Sequence, residues 1–412
     1  MFRAVLRVRG LVAAAIAVAV SLALSLGPSV GPSLVLPDVV RQSALAGPPE
    51  EAPVRVYDYD LGDAAFTVRG FNALGPKGPT KRLAPIELTG RVYAPEDAAG
   101  RRLPMVVIAH GLFWTCADEE AASVRAHWPC RRSFTSIRSD RGYDYLGRAM
   151  AAQGMVVVSV GANGVNAGEL GEVADRARGS VIYRHLRLWR NLVERGTGRL
   201  SGALVDAATG GPAYLDLHHA VDFAQVGLLG HSRGGRGVMW AAADAHRARV
   251  PEGVRLRAVF GLAAAEPPFM DRATRRLEVG RIPLMTWAGT CDVTGRDEYN
   301  RLARRLRNPV NIGITVHGAN HNNLNSRWAA ESGLPGGEDD ASHPEGRPDL
   351  CYAWDDTDHY PTLGYDAEQR VAETYVVAFF GRYLQGRRGY DGVLSGEELP
   401  VDDLATVEVR RY

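Results

Sequence analysis

The residues of this chain that point most directly to chemistry are Gly230-His231-Ser232-Arg233-Gly234-Gly235. A serine with glycines two positions before and after it follows the apolar run 226–229 and precedes a helical pattern, the context of a strand–turn–helix elbow. Such a serine takes a strained backbone conformation, and a side chain at 230 or 234 would crowd the neighbouring chain. The helix that follows points its N-terminus at the negative charge that builds when the hydroxyl attacks a carbonyl. A chain with 46 glycines offers chance matches to this spacing; the strand before and the helix after distinguish this one.

A serine hydroxyl is a weak nucleophile until a base takes its proton, and that base needs an acid to orient it. Of 11 histidines, His321 in Gly318-Ala319-Asn320-His321 is the expected base, because it lies in a loop just past a strand. His317 ends that strand and reads as structural. His218 and His219 precede the elbow strand as surface residues, and His231 points from the elbow into packing. Asp292, at the end of 284–292, is the expected acid; its rival is Glu266, which follows the preceding strand. The oxyanion needs two backbone donors. The N–H of Arg233 is one, and that of Leu112 the other, with Phe113 as its alternative in the loop His110-Gly111-Leu112-Phe113. The Arg233 guanidinium itself reads as structural or surface. Phe113 and Trp114 are either a wall for the acyl or alcohol group or part of the core.

The elements that must hold these residues alternate between strand and helix. Strands are expected at 54–59, 86–93, 104–109, 155–160, 226–229, 257–264, 282–288 and 311–316. Helices are expected at 143–153, 169–194, 234–246, 296–306 and 367–384; the arginines of 169–194 read as its solvated side. The alternation implies an α/β fold, a mostly parallel sheet with helices on both faces. Residues 322–361 read as a long, solvated acidic loop inserted in a single domain, 47–412. Glu338, Asp339, Asp340, Asp355, Asp356 and Asp358 in it lack the spacing of a calcium loop. Cys116, Cys130, Cys291 and Cys351 match no zinc signature. Three disulfide pairings are open to them; 116–130 and 291–351 are favoured, and free buried thiols are the alternative. A 291–351 bridge would tether the loop of the acid to the loop after the base.

Gly230-His231-Ser232-Arg233-Gly234, Ala109-His110-Gly111, Asp292 after a strand and Gly318-Ala319-Asn320-His321, in the order serine, acid, histidine, resemble the α/β-hydrolase superfamily over about residues 54–385. Within it the chain is similar to secreted dienelactone-hydrolase-like, cutinase-like and platelet-activating-factor-acetylhydrolase-like serine esterases. It departs from cutinase-like enzymes in Arg233 after the serine and in the length of the segment after His321. The resemblance implies an α/β-hydrolase fold and hydrolysis of a small or polymeric carboxylic ester by Ser232, Asp292 and His321 through an acyl-enzyme, with no metal or organic cofactor. A peptidase, thioesterase or amidase using the same residues is the alternative; a non-catalytic extracellular binding protein on this fold is the other.

Composition narrows the partners. The 48 basic and 47 acidic residues leave a formal charge of +1, against a chain built for nucleic acid. Arg3, Arg7 and Arg9 precede the 16-residue run 11–26, broken only by Ser21 and Ser25. That is short of the ~20 apolar residues of a spanning helix and reads as an export signal, residues 1–46, with a retained N-terminal anchor as the alternative. Either places the body outside the cytoplasm. Removal of 1–46 turns the net charge slightly negative, leaves no membrane span and suits a neutral ester substrate and a monomer.

Overall fold

The computed structural model describes residues 52–213, 216–266, 272–292, 294, 296–353 and 358–412. The expected export segment 1–46, and Asp355 and Asp356 of the acidic loop, lie outside the described residues. The sheet strands are β1 (Val54–Asp60), β2 (Thr89–Pro95), β3 (Leu103–Ala109), β4 (Val156–Val160), β5 (Leu204–Asp206), β6 (Val221–His231), β7 (Leu256–Leu262), β8 (Leu284–Gly289), β9 (Asn311–Val316) and β10 (Val407–Arg411). They form one 10-stranded sheet in the order β5-β1-β2-β4-β3-β6-β7-β8-β9-β10. From β4 to β9 every neighbouring pair is parallel; β5, β1 and β2 on one side and β10 on the other pair antiparallel. This is an α/β architecture with a mostly parallel centre.

The central strands read as continuous apolar runs because both faces are covered. Met105 and Val107 of β3, Val156 and Val158 of β4 and Leu228 of β6 face one core. Val106, Ile108, Val157 and Leu229 face the other, as a side-chain period of two requires. Helices α2 (Glu172–Arg195), α3 (Arg233–Ala242) and α4 (Glu298–Arg305) cover the first face through Val181, Ile182, Leu186, Trp189, Val238, Met239 and Tyr299. Helices α1 (Asp144–Ala152) and α5 (Tyr365–Gln385) cover the second through Leu146, Met150, Tyr375, Phe379 and Phe380. Each such side chain contributes about 1.5–3 kcal/mol by leaving water. None of the described helices is long and apolar enough to cross a membrane.

The expected helices form within a few residues of their expected bounds, except that 234–246 ends as an α-helix at Ala242 and continues as the 3-10 helix Asp244–Arg249. Three readings change. The arginines of α2 are not all solvated: Arg178 is buried at 2% exposure and donates to the side chain of Asn166. Residues 86–88 precede β2; Ile86 forms an isolated bridge with Phe66 instead. The acidic loop is solvated only in its middle, because Asn322, Asn323, Leu324, Asn325, Trp328 and Ala329 are buried. Asn325 Nδ2 donates to Ser139 O at 3.0 Å, Trp328 Nε1 to Ser139 Oγ at 3.0 Å and Tyr145 Oη to Leu324 O at 3.1 Å, so the loop start is stitched to the turn before α1.

Both favoured disulfides are present, Cys116–Cys130 and Cys291–Cys351. The first closes a three-stranded insertion after β3, made of Cys116–Asp118, Ser123–Arg125 and Thr135–Ser136. The second joins the turn after β8 to the ribbon Leu350–Tyr352/His359–Pro361.

Candidate active site

Four parallel strands end on the same side of the sheet, and each leads into a segment with a candidate residue. β6 ends at His231 before Ser232, β3 at Ala109 before Gly111, β8 at Gly289 before Asp292, and β9 at Val316 before His321. The carboxyl ends of parallel strands are where open α/β sheets hold their ligands.

Ser232 has φ 56° and ψ −128°, a left-handed backbone on a non-glycine residue. Such strain persists only where the surroundings over-determine it. Ser232 N–H donates to Leu262 O at 3.1 Å and its carbonyl accepts from Gly235 and Ala265, each at 2.9 Å. A Cβ on Gly234 would lie 2.0 Å from Ala109 O, and one on Gly230 would lie 2.4 Å from Gly234 O. The two glycines that mark the motif in sequence are therefore demanded by close approach of β3 and α3. A Cβ on Gly111 would lie 2.3 Å from Ser232 Cβ and 2.8 Å from its Oγ, so the loop after β3 passes against the serine.

Asp292 and His321 meet. His321 Nδ1 lies 2.9 Å from Asp292 Oδ2 and 2.8 Å from Thr294 Oγ1, and Thr294 Oγ1 donates to Asp292 Oδ1 at 2.7 Å. An ionised carboxylate only accepts, so Nδ1 carries the proton and Nε2 keeps its lone pair. Burial pulls the His321 pKa down, but the charge and hydrogen bond of Asp292, with the charge of Asp340, leave it above the ordinary imidazole value. Burial pushes Asp292 up, and His321 and Thr294 reverse this to hold it below the ordinary carboxylate value. Ser232 Oγ makes no hydrogen bond among the described residues; His321 packs against His231, the residue before the serine, with the two imidazole rings 4.6 Å apart.

Glu266, the rival acid, is elsewhere: its Oε1 accepts from Glu298 N–H at 2.7 Å, at the first turn of α4. His317 pairs with Glu408 at 2.9 Å, and His218 packs tilted against His219 in the exposed turn before β6. His231 is buried with Nδ1 3.0 Å from Tyr143 Oη, and burial, then the charge of His321, hold it well below the ordinary imidazole pKa. Among the described residues no group of three or more His, Cys, Asp or Glu side chains could hold a metal ion.

Leu112 N–H and Arg233 N–H donate to no acceptor among the described residues; the second belongs to the first turn of α3, where helix amides lack intrahelical partners. Residues to which the sequence assigned no role of their own aim the first of them. Ala162 N–H donates to His110 Nε2 at 2.8 Å, so His110 Nδ1 carries the proton and donates to Gly111 O at 3.0 Å. Burial holds His110 neutral, its pKa down to about 4. Asn166 Nδ2 donates to the same oxygen at 2.9 Å. The buried Arg178 only donates, so its bond to Asn166 Oδ1 fixes which way the amide faces. In a trans peptide the N–H lies opposite the C=O. Holding Gly111 O from behind therefore turns Leu112 N–H away from His110 and Asn166.

Phe113 is half-buried and stacks on Trp328 at 5.1 Å, and Trp328 stacks on His231 at 4.7 Å and His321 at 6.3 Å. Phe113 thus backs the indole that stacks on His321. Leu112 and Trp114 remain exposed, at 37% and 41%. Only the periodic burial of an aromatic in the loop after His321 could have pointed to Trp328, and that loop has no period. No protein-family model matches this chain, and no curated protein matches it.

Proposed function

We propose that this chain is an extracytoplasmic serine hydrolase of carboxylic esters, built on an α/β-hydrolase fold. The observation that carries the reading is Ser232 held at φ 56° between β6 and α3, at the same sheet end as the hydrogen-bonded Asp292–His321 pair. The two disulfides accord with an oxidising compartment.

In this mechanism Ser232 Oγ attacks the ester carbonyl carbon while His321 Nε2 takes its proton. The carbonyl oxygen becomes an oxyanion between the N–H groups of Leu112 and Arg233. Asp292 keeps Nδ1 protonated and stabilises the imidazolium. Collapse of the adduct breaks the ester C–O bond, and the imidazolium returns its proton to the leaving alcohol. Water then attacks the acyl-enzyme, giving its proton to His321, and the acid leaves with Ser232 restored. Attack requires Ser232 Oγ and Nε2 to close to hydrogen-bond distance as substrate binds.

Ser232→Ala is expected to abolish hydrolysis of short p-nitrophenyl esters while the protein keeps its thermal unfolding midpoint. Full residual activity in the folded variant contradicts the reading. A panel of thioesters, amides and peptides run beside the esters separates the bond preferred from the mechanism.

A further inference from the structure

The near-neutral charge of the chain conceals a local concentration of cations. Residues 71–84 contain Lys77, Lys81 and Arg82 and no acid; Lys77 and Lys81 are the only lysines in the chain. Residues 121–137 contain Arg125, Arg131 and Arg132 and no acid. The fold places these two segments side by side. The first forms the ribbon Asn72–Gly75/Gly78–Leu83, and the second belongs to the insertion closed by Cys116–Cys130. Between them lies a cleft of about 410 Å³ with Arg82, Arg125, Arg131 and Arg132 in its lining and no carboxylate.

Among the described residues none of these four guanidinium groups has a carboxylate within ion-pair distance, whereas Arg55, Arg91, Arg138, Arg190, Arg236 and Arg382 are all paired. His127, also in the cleft wall, has an enclosed Nε2 with no hydrogen-bond partner. Its pKa is lowered by burial and then by the charges of Arg131 and Arg125. Two acids stand close behind the cleft without lining it: Asp118 accepts from Ser133 Oγ and Ala121 N–H, and Glu87 accepts from the N–H of Gly164 in the cleft wall. The rest of the wall is apolar, from Leu74, Trp128 and Phe134.

We propose that this cleft binds a phosphate-type oxyanion carried on an apolar group, either a small phosphate ester or the headgroup of an anionic lipid. Guanidinium forks match the oxygens of phosphate, and a cleft lined by one sign of charge concentrates its field on the ligand. A volume of this size suits a small molecule or a single headgroup. The site is separate from Ser232 and does not depend on the hydrolytic reading.

The test uses pyrophosphate in free solution, followed by calorimetry, and vesicles of phosphatidylglycerol against phosphatidylcholine, followed by co-sedimentation. The comparison variants are Arg131→Gln/Arg132→Gln and, as a control, Arg247→Gln/Arg255→Gln in a cleft of about 680 Å³ that also contains Asp244 and Glu252. Pyrophosphate binding that weakens at least 10-fold in the first variant and holds in the control supports a soluble phosphate ester. Co-sedimentation with phosphatidylglycerol alone, lost in the first variant and kept in the control, supports the lipid headgroup. Binding in neither arm, or binding that the two variants change equally, overturns the proposal.

Discussion

At the scale of residues, the candidate site divides into groups whose types announce chemistry and groups whose roles arise only from packing. Ser232, Asp292 and His321 were legible because each lies at a strand end and because the glycines around Ser232 answer local backbone demands. Asn166, Arg178, Thr294 and Trp328 were not. Asn166 is 55 residues from the carbonyl it holds, and nothing in its neighbourhood signals a partner at that distance. Two predictions belong here. Attack needs neutral His321, whose pKa is raised chiefly by Asp292 acting against burial, so kcat/KM should rise with pH through that raised value. The stability that His321 contributes has the opposite sense: it is present at low pH and lost as pH rises through the folded pKa. Asp292→Asn removes the charge and leaves burial to dominate. The acid limb of the profile should move to lower pH, and kcat should fall roughly 10³- to 10⁴-fold; an acid limb that stays in place argues against the pairing. Asn166→Asp keeps a partner for Arg178 but faces Gly111 O with a second acceptor. It should lower kcat about 10- to 100-fold with KM unchanged, a split that steady-state kinetics resolves. An unchanged kcat removes Asn166 from the mechanism.

At the scale of elements, the central strands and long helices were legible because buried parallel strands and amphipathic helices impose strong periods. Short edge elements were not: Leu204–Asp206 has three residues, too few to carry a period, and Val407–Arg411 reads as a mostly charged tail. The segment after His321 misled because its acids and glycines suggested solvent, whereas its buried start is held by partners distant in sequence. Glu368 of α5 is one of them. Its Oε2 accepts from Asn320 N–H at 3.0 Å and from Asn323 Nδ2 at 3.3 Å, while its Oε1 is buried without a partner. Burial raises its pKa well above the ordinary value, with the charges of Asp292 and Asp340 adding to the effect. A carboxyl kept protonated is mimicked by an amide. Glu368→Gln should therefore keep both stability and ester turnover. Glu368→Ala strands two buried donors and should cost about 2–3 kcal/mol in urea unfolding. Equal loss in the two variants contradicts a neutral Glu368.

At the scale of the whole molecule, net charge proved a poor guide to surface. A balance of +1 is compatible with an acidic loop after His321 and a cationic cleft beside the disulfide-closed insertion. The disulfides join what the sheet alone would leave loose. Cys291 follows β8 one residue before Asp292 and is tied to Cys351, so the loop carrying Asp292 and the loop after His321 are covalently linked across 60 residues. The central claim, that this assembly makes Ser232 a nucleophile, is tested most directly by exposing the native protein to a fluorophosphonate and mapping the adduct by mass spectrometry. One stoichiometric adduct is expected on the peptide containing Ser232, absent after Asp292 and His321 are both replaced. No adduct, or an adduct on another residue in folded protein, contradicts it.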